Sequence, residues 1–313
     1  MLRHIQRRLL PLAAACLYTL ISQAQTDIDA IMMNRNQFCA GFQYNHSSWD
    51  QYWEGTLKRE NLNIGTVTTQ SVAVMGNYGI TKKLNLLFGL PYVFTKASAG
   101  TMAGQQGIQD GMLGAKWKAF SHQSGKNKYA LFAIGGVSAP LSKYTPDFLP
   151  LSIGLHSKQA FLRGMADYQR GKFFTTASAT YLLRSNVDIA RTAYYTTRMH
   201  YSNEVEMPNA WTANLRAGYR TSHLIIEAVA DQINTLGGFD IRRNDMPFIS
   251  NRMNATNLGL NIRYEPRWLK QVSLTGGGMR TIAGRNMGQA TAFYGGVFYI
   301  FQFGKKATTT QTR

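Results

Sequence analysis

From Leu84 to Phe94 the chain sets a large apolar side chain at every second position: Leu84, Leu86, Phe88, Leu90, Tyr92 and Phe94. The positions between them, Asn85, Leu87, Gly89, Pro91 and Val93, are smaller and mixed. A period of two over this length predicts a strand with two unlike faces. The same alternation recurs in Phe38, Ala40, Phe42 and Tyr44, in Trp211, Ala213, Leu215, Ala217 and Tyr219, and in Thr256, Leu258, Leu260, Ile262 and Tyr264. About twelve such segments begin near residues 37, 67, 84, 111, 129, 157, 173, 210, 223, 255, 272 and 290. Each has roughly the 9 to 11 residues with which a tilted strand crosses a bilayer. The fold expected is all-β, a transmembrane antiparallel up-and-down β-barrel of about 12 strands over residues 37–303.

The connections alternate in length as well. Short links are expected at residues 79–83, 121–128, 170–172, 221–222 and 265–271, and long ones at 46–65, 96–110, 142–156, 185–209 and 237–254; the last, near 284–289, is brief. Short turns on one side and long loops on the other are the layout of an outer-membrane barrel, turns to the periplasm and loops outward. An even strand count then puts both termini in the periplasm, with residues 25–36 as a periplasmic N-terminal segment. Aromatic side chains end the apolar faces at Tyr92 and Phe94, Trp117, Tyr168, Trp211, Tyr219 and Tyr264, as interfacial girdles require. A soluble β-sandwich alternates in the same way, but only a closed barrel leaves no unpaired edge in lipid. Pro91 has no amide to donate and is expected near a strand end or a bulge.

Composition removes other classes. The 313 residues are 44% hydrophobic, with a mean hydropathy of -0.23, too polar for a bundle of membrane helices. Arg3, Arg7 and Arg8 precede an apolar run from Leu9 to Ile21 and then Ser22-Gln23-Ala24, which reads as a cleaved signal peptide over residues 1–24. The rival reading is an acylated Cys16; once Cys16 is removed, Cys39 has no partner for an internal disulfide. The net charge of +18 falls in part on the leader and in part on turn residues such as Lys82, Lys83, Lys126, Lys128, Arg170 and Lys172. Such charges suit a neighbour of membrane lipid and lipopolysaccharide headgroups. No nucleic-acid-reading module accompanies them, so nucleic acid is not an expected partner. Phe293, Val297, Tyr299, Phe301 and Phe303 form the aromatic terminal strand that barrel-assembly machinery engages during insertion, and residues 304–313 read as a polar disordered tail.

"GLPYVF", Gly89 to Phe94, followed across a loop by "GIQDGMLGAKWKAF", Gly107 to Phe120, resembles the outer-membrane barrels named after the meta pathway of phenol degradation. Members show a Leu-Pro-Tyr strand end, then Gly-x-x-Asp, Leu-Gly-x-Lys and an aromatic residue. The match covers about thirty residues, and the rest shares layout more than motif. The resemblance implies a monomeric, transporter-like barrel of the same broad group as hydrophobic-compound uptake channels. It carries over no binding or catalytic residue, and the family name does not fix the substrate.

If the large apolar sets face lipid, the opposite faces carry Lys116, Lys118, Arg163, Arg184, Arg216, Arg220 and Arg263 against Asp167, Glu227 and Asp231. A lumen so lined favours anions. With Thr221-Ser222 as a two-residue turn, Arg216 stands opposite Glu227, a pairing that would be structural instead. The loop from His46 to Asn61 holds Trp49, Tyr52 and Trp53, an aromatic clamp for a ligand or an anchor at the barrel rim. His46, Asp50 and Glu54 in that loop have oxygen and nitrogen donors for a hard cation but no fixed motif, so no metal is assigned. His156 beside Ser157 and His200 near Ser202 lack any nucleophile motif. The function expected is a passive channel or uptake pore for small apolar or anionic solutes, without cofactor or chemistry. The alternative is a non-conducting, plugged barrel that serves as a surface binding or scaffold protein, with a barrel lipase or acyltransferase third.

Overall fold

In a computed structural model, which describes residues 28–242, 245–269 and 271–303, the alternating segments are the staves of one closed barrel. The predicted signal peptide 1–24 and the tail 304–313 lie outside the described residues, as do residues 25–27. The staves are β1 (Gln37–Trp49), β2 (Val67–Gly79), β3 (Leu84–Ala97), β4 (Asp110–Ser124), β5 (Asn127–Pro140) and β6 (Gln159–Arg170). They continue as β7 (Phe173–Arg184), β8 (Ala210–Arg220), β9 (Leu224–Thr235), β10 (Asn254–Tyr264), β11 (Val272–Arg285) and β12 (Thr291–Gln302). Each pairs antiparallel with its neighbour in sequence, and β1 closes the ring on β12 from Gln37↔Gln302 to Ser48↔Thr291. Closure gives every stave two partners, so no continuous edge is left to lipid.

Side-chain direction follows the alternation. On β3 Asn85, Leu87, Val93 and Thr95 are buried while Leu86, Leu90, Tyr92 and Phe94 are exposed. Phe42, Leu113, Leu162, Leu260 and Val297 continue this exposed apolar belt around the ring. An apolar band of this extent belongs against acyl chains, not water. Aromatic rings border it at the short-turn end, where Phe38 meets Phe301, Tyr129 meets Tyr168 and Phe173 meets Tyr219, with centroids 6.0, 5.1 and 5.7 Å apart. At the long-loop end Tyr92 and Phe94 stand 4.9 Å apart, with Tyr181 and Trp211 farther round.

Two turns and one loop differ from expectation: the loop placed from His46 starts later, because β1 keeps its pairing with β12 to Ser48↔Thr291 and runs to Trp49. The link placed at residues 121–128 is mostly strand: β4 runs to Ser124 and β5 starts at Asn127, because Gly125 takes φ 56° and closes the chain in two residues. A bulge between Lys118 and Phe120 reverses the alternation beyond it, so that Phe120 faces outward opposite Leu131. The turn placed at Thr221-Ser222 is made by Ser222 and His223 instead. Thr221 N donates to Leu224 O at 2.8 Å, and the Thr221 hydroxyl accepts from Leu224 N at 3.0 Å. That one-residue shift puts Arg216 opposite Val229 and Glu227 opposite Gly218.

Pro91 lies within β3 but spares the sheet. Its carbonyl accepts from Gln109 N at 3.0 Å, so its missing amide faces that side and not β2. On that side the β3–β4 ladder stops at Gly89↔Met112; farther along, Tyr92 to Phe94 pair with the short strand Gln106–Ile108.

The long loops pack on one another. The hairpin Gln51–Glu54 with Leu57–Glu60 leans on the β11–β12 link, where Trp53 N donates to Met287 O at 2.9 Å. Trp53 seats on Gly284 and Trp49 on Gly288, closely enough that a Cβ at either glycine would clash. Asp240 joins them by a forked ion pair, 2.7 and 2.6 Å, to Arg285, which holds its carboxyl below the ordinary value of 3.8. Leu151, fully buried, packs with Ile64 and Val67, and Val187, Tyr194, Val205 and Ile249 form a second cluster.

Candidate functional site

The inner face carries the charges that alternation assigned to it. Arg216 Nη1 donates to Glu227 Oε1 at 2.6 Å, so the pair forms diagonally despite the shifted register. Asn214 and Asn261 complete it, through Arg216 Nε at 2.9 Å and Glu227 Oε1 at 3.0 Å. Arg220 forks onto Asp167 at 3.1 and 3.2 Å, and Thr176 donates to the same carboxylate at 2.5 Å. Arg163 Nε donates to Thr180 Oγ1 at 2.6 Å, and Asp231 accepts from Asn214 at 3.3 Å. Lys118 stands with its ammonium 6.0 Å from the Phe132 ring. Arg184 is at the loop end of β7, where Nη1 reaches Pro208 O at 3.4 Å.

The remaining pair brings in a residue the sequence reading passed over. Residues 28–33, read as apart from the barrel, lie inside it. Lys116 Nζ, wholly buried, donates to Asp29 Oδ1 and to Ile31 O, both at 3.1 Å, and Arg263 Nη2 reaches Asp29 Oδ2 at 3.1 Å. One carboxylate thus ties the segment to β4 and to β10. Apolar contacts seat the rest: Ile31 with Phe174 and Ile225, Met32 against Leu87, Phe132 and Met165, and Met33 with Cys39, Phe298 and Ile300. The sequence signal was there in Ile28, Ile31 and Met33 around one acid, but six residues are too few for periodicity to mark a partner.

This segment divides the lumen into cavities. One of about 230 Å³ lies between it and β8 to β12, lined by Asp29, Arg216, Arg220, Glu227, Arg263 and the side chains of Met75, Met279 and Phe298. A second, about 480 Å³, opens on the other side among Lys118, Lys128, Asp167, Arg220 and Phe132. A separate pocket, about 820 Å³ and mostly apolar, has none of residues 28–33 in its lining and lies on the wall where the β3–β4 ladder stops. Its lining joins outward residues Phe88, Leu90, Leu113 and Val137 to inward Met112 and Arg184. Gly89 and Gly111, without side chains, thin the wall between those two faces.

Of the outer-loop candidates, Trp49 and Tyr52 meet with ring centroids 6.3 Å apart, and each candidate has partners of its own. Trp53 is buried on Gly284 and Trp49 packs beside the Ile64 cluster, while Tyr52 bridges to Gly288. Glu54 pairs with Arg59 at 2.7 Å, His46 Nδ1 lies 3.4 Å from Gln70 Nε2, and the Asp50 carbonyl accepts from Asn61 N. His156 packs edge-on against Tyr144, whose hydroxyl donates to Asp110 at 2.6 Å. Burial and that carboxylate push the Tyr144 hydroxyl well above its ordinary pKa. Ser157 donates to Ser185 O at 2.6 Å, and His200 stacks on Tyr194 and lies 3.0 Å from Thr196 Oγ1.

No family profile matches the chain. No curated protein matches it. Among solved structures it resembles the COG4313 outer membrane channel from Pseudomonas putida F1, with a TM-score of 0.68 at 16% identity over 90% of this chain and 100% of that one. The translocator domain of the autotransporter NalP from Neisseria meningitidis follows at a TM-score of 0.44 and 10% identity, over 96% of this chain and 95% of that one. A Pseudomonas aeruginosa FadL homologue gives 0.36 and 11%, over 86% of this chain and 91% of that one. At 16% identity the first likeness is one of fold: a twelve-strand outer-membrane barrel.

Proposed function

We propose that this chain is a monomeric outer-membrane pore for the uptake of small, mainly apolar solutes, closed in the state described by its own residues 28–33. The exposed apolar belt and its two aromatic borders support the membrane setting, with the long loops outward and both chain ends toward the periplasm. One observation carries the gated reading: a lumen segment fixed across the barrel by a single carboxylate shared between Lys116 and Arg263. Removing one partner of a buried ion pair costs about 3–5 kcal/mol, so loss of Asp29 charge would release the segment while the ladders stay intact. The mostly apolar pocket at the end of the β3–β4 ladder supports apolar cargo, with lipid-facing and inward side chains both in its lining. The fold neighbour from Pseudomonas putida F1 is a channel, which accords with this reading.

The test is single-channel recording of the refolded chain in a planar bilayer, with reversal potential under a salt gradient, for the wild type and Asp29→Asn. Brief, infrequent openings in the wild type and long ones in the variant are expected. A non-conducting barrel that binds ligands or partners at its surface is the second reading, favoured by the same occluded lumen. Two inserted, silent proteins that also fail to admit a small apolar solute into liposomes would establish it instead.

A further inference from the structure

The cavity of about 230 Å³ has a polar wall with more donors than acceptors. Arg263 on β10 stands directly opposite Thr275 on β11. Arg263 spends Nη2 on Asp29, while its buried Nε and Nη1 reach no acceptor, and neither Thr275 Oγ1 nor Arg220 Nε has a partner. Buried polar atoms are rarely left so, and several lining one cavity call for an explanation. All are able to donate, and the two guanidinium groups can only donate. The ligand they suit is therefore an acceptor.

Charge points the same way. The lining holds three guanidinium groups, Arg216, Arg220 and Arg263, against two carboxylates, Asp29 and Glu227. Behind it, Lys116 also binds Asp29 and Asp167 also binds Arg220, contributions of opposite sign. One positive charge remains. The lining also holds apolar side chains, Ile31, Met75, Ile225, Met279 and Phe298 among them. The volume falls below the roughly 300 Å³ at which drug-sized sites begin, which limits an occupant to one ring or a short chain.

We propose that this cavity is a binding site for a small monocarboxylate with an apolar body, its carboxylate on Arg263 and Thr275 and its body against Met75, Met279 and Phe298. A carboxylate matches the guanidinium fork and supplies the one missing negative charge. This rests on the uptake reading above, and it narrows the cargo from apolar solutes to apolar acids.

The experiment is calorimetric titration of the full refolded chain with benzoate, with benzyl alcohol as its neutral counterpart, and with inorganic phosphate. It compares the wild type, Arg263→Lys, which keeps the charge on Asp29, and Thr275→Val, which removes only the unpartnered hydroxyl. Benzoate should bind the wild type at least tenfold more tightly than benzyl alcohol, and lose tenfold or more in Arg263→Lys and about threefold in Thr275→Val. If Arg263→Lys fails to refold, by heat-dependent gel mobility, Thr275→Val carries the comparison. Equal binding of alcohol and acid, unaltered by Thr275→Val, overturns the proposal. Phosphate binding as tightly as benzoate overturns it as well, because the apolar side chains would then count for nothing. Flux of benzyl alcohol into liposomes without benzoate binding would leave the uptake reading standing and remove this one, whereas benzoate binding without flux of either compound would do the reverse.

Discussion

Asp29 is the residue on which most of the lumen depends. It is 7% exposed, and two cations from opposite parts of the wall meet on it. Asp29→Asn should raise the time spent conducting several-fold while the heat-dependent gel shift of the folded barrel stays as in the wild type, since no ladder bond involves that side chain. Gly284 is its counterpart at the loop end. The Trp53 ring lies where a Cβ would be, so Gly284→Ala should displace the hairpin over residues 51–60 and speed its cleavage by added protease. The Asp240–Arg285 pair beside it has a pH signature. Because its folded pKa is depressed, its contribution is fully present above the ordinary carboxylate value of 3.8 and is lost as pH falls through the lower folded value. Protection from hydrogen exchange in residues 238–242 and 284–288, measured against the intrinsic rate at each pH, should therefore fall as pH drops below 3.8, and this fall should vanish in Asp240→Asn.

At the scale of elements, period-two patterning located the start of every stave to within two residues, because each spans a full membrane crossing and repeats its signal five or six times; the ends of β1 and β4 lie four residues farther on than expected. The ten candidate lumen charges were legible for the same reason, as they sit on the alternate face of staves already identified. Register was less legible. Whether Thr221 or His223 belongs to the corner depends on one hydroxyl-to-amide bond, and a shift of one residue there moves Glu227 from Arg216 to Gly218. The segment over residues 28–33 escaped entirely. Apart from Cys39 at the start of β1, its contacts go to β3, β4, β5, β6, β7, β9, β10 and β12, remote in sequence, so almost nothing local marks it. Pro91 was expected near a strand end or a bulge and lies instead in mid-β3, where its missing amide falls on the side on which the β3–β4 ladder has already stopped. Deleting residues 28–33 should leave a folded barrel that stays open at least as long as Asp29→Asn, measurable in the same bilayer recordings.

Across the whole molecule, the inner face balances its charge largely in pairs, so bulk ion selectivity should be modest and set by the few cations without a carboxylate, Lys118 and Lys128 among them. A reversal potential that favours anions slightly, and shifts toward zero in the double variant Lys118→Gln, Lys128→Gln, is the expected outcome. The stability of the barrel should depend little on these changes, since closure of β1 on β12 and the girdle aromatics are untouched by them.

Cys39 gives this molecule a clock. Its thiol is 1% exposed, beneath Met33 and beside Phe298 and Ile300. A thiol reagent in solution can reach it only while Met33 is lifted away, so the rate of labelling counts departures of the segment from its seat, one covalent tick at a time. Under slow reclosing that rate equals the opening rate itself, and under fast reclosing it reports the fraction of time spent open. The unaltered chain can thus be timed without an electrode, in vesicles or on intact cells, and any solute that props the segment aside will register as a faster tick.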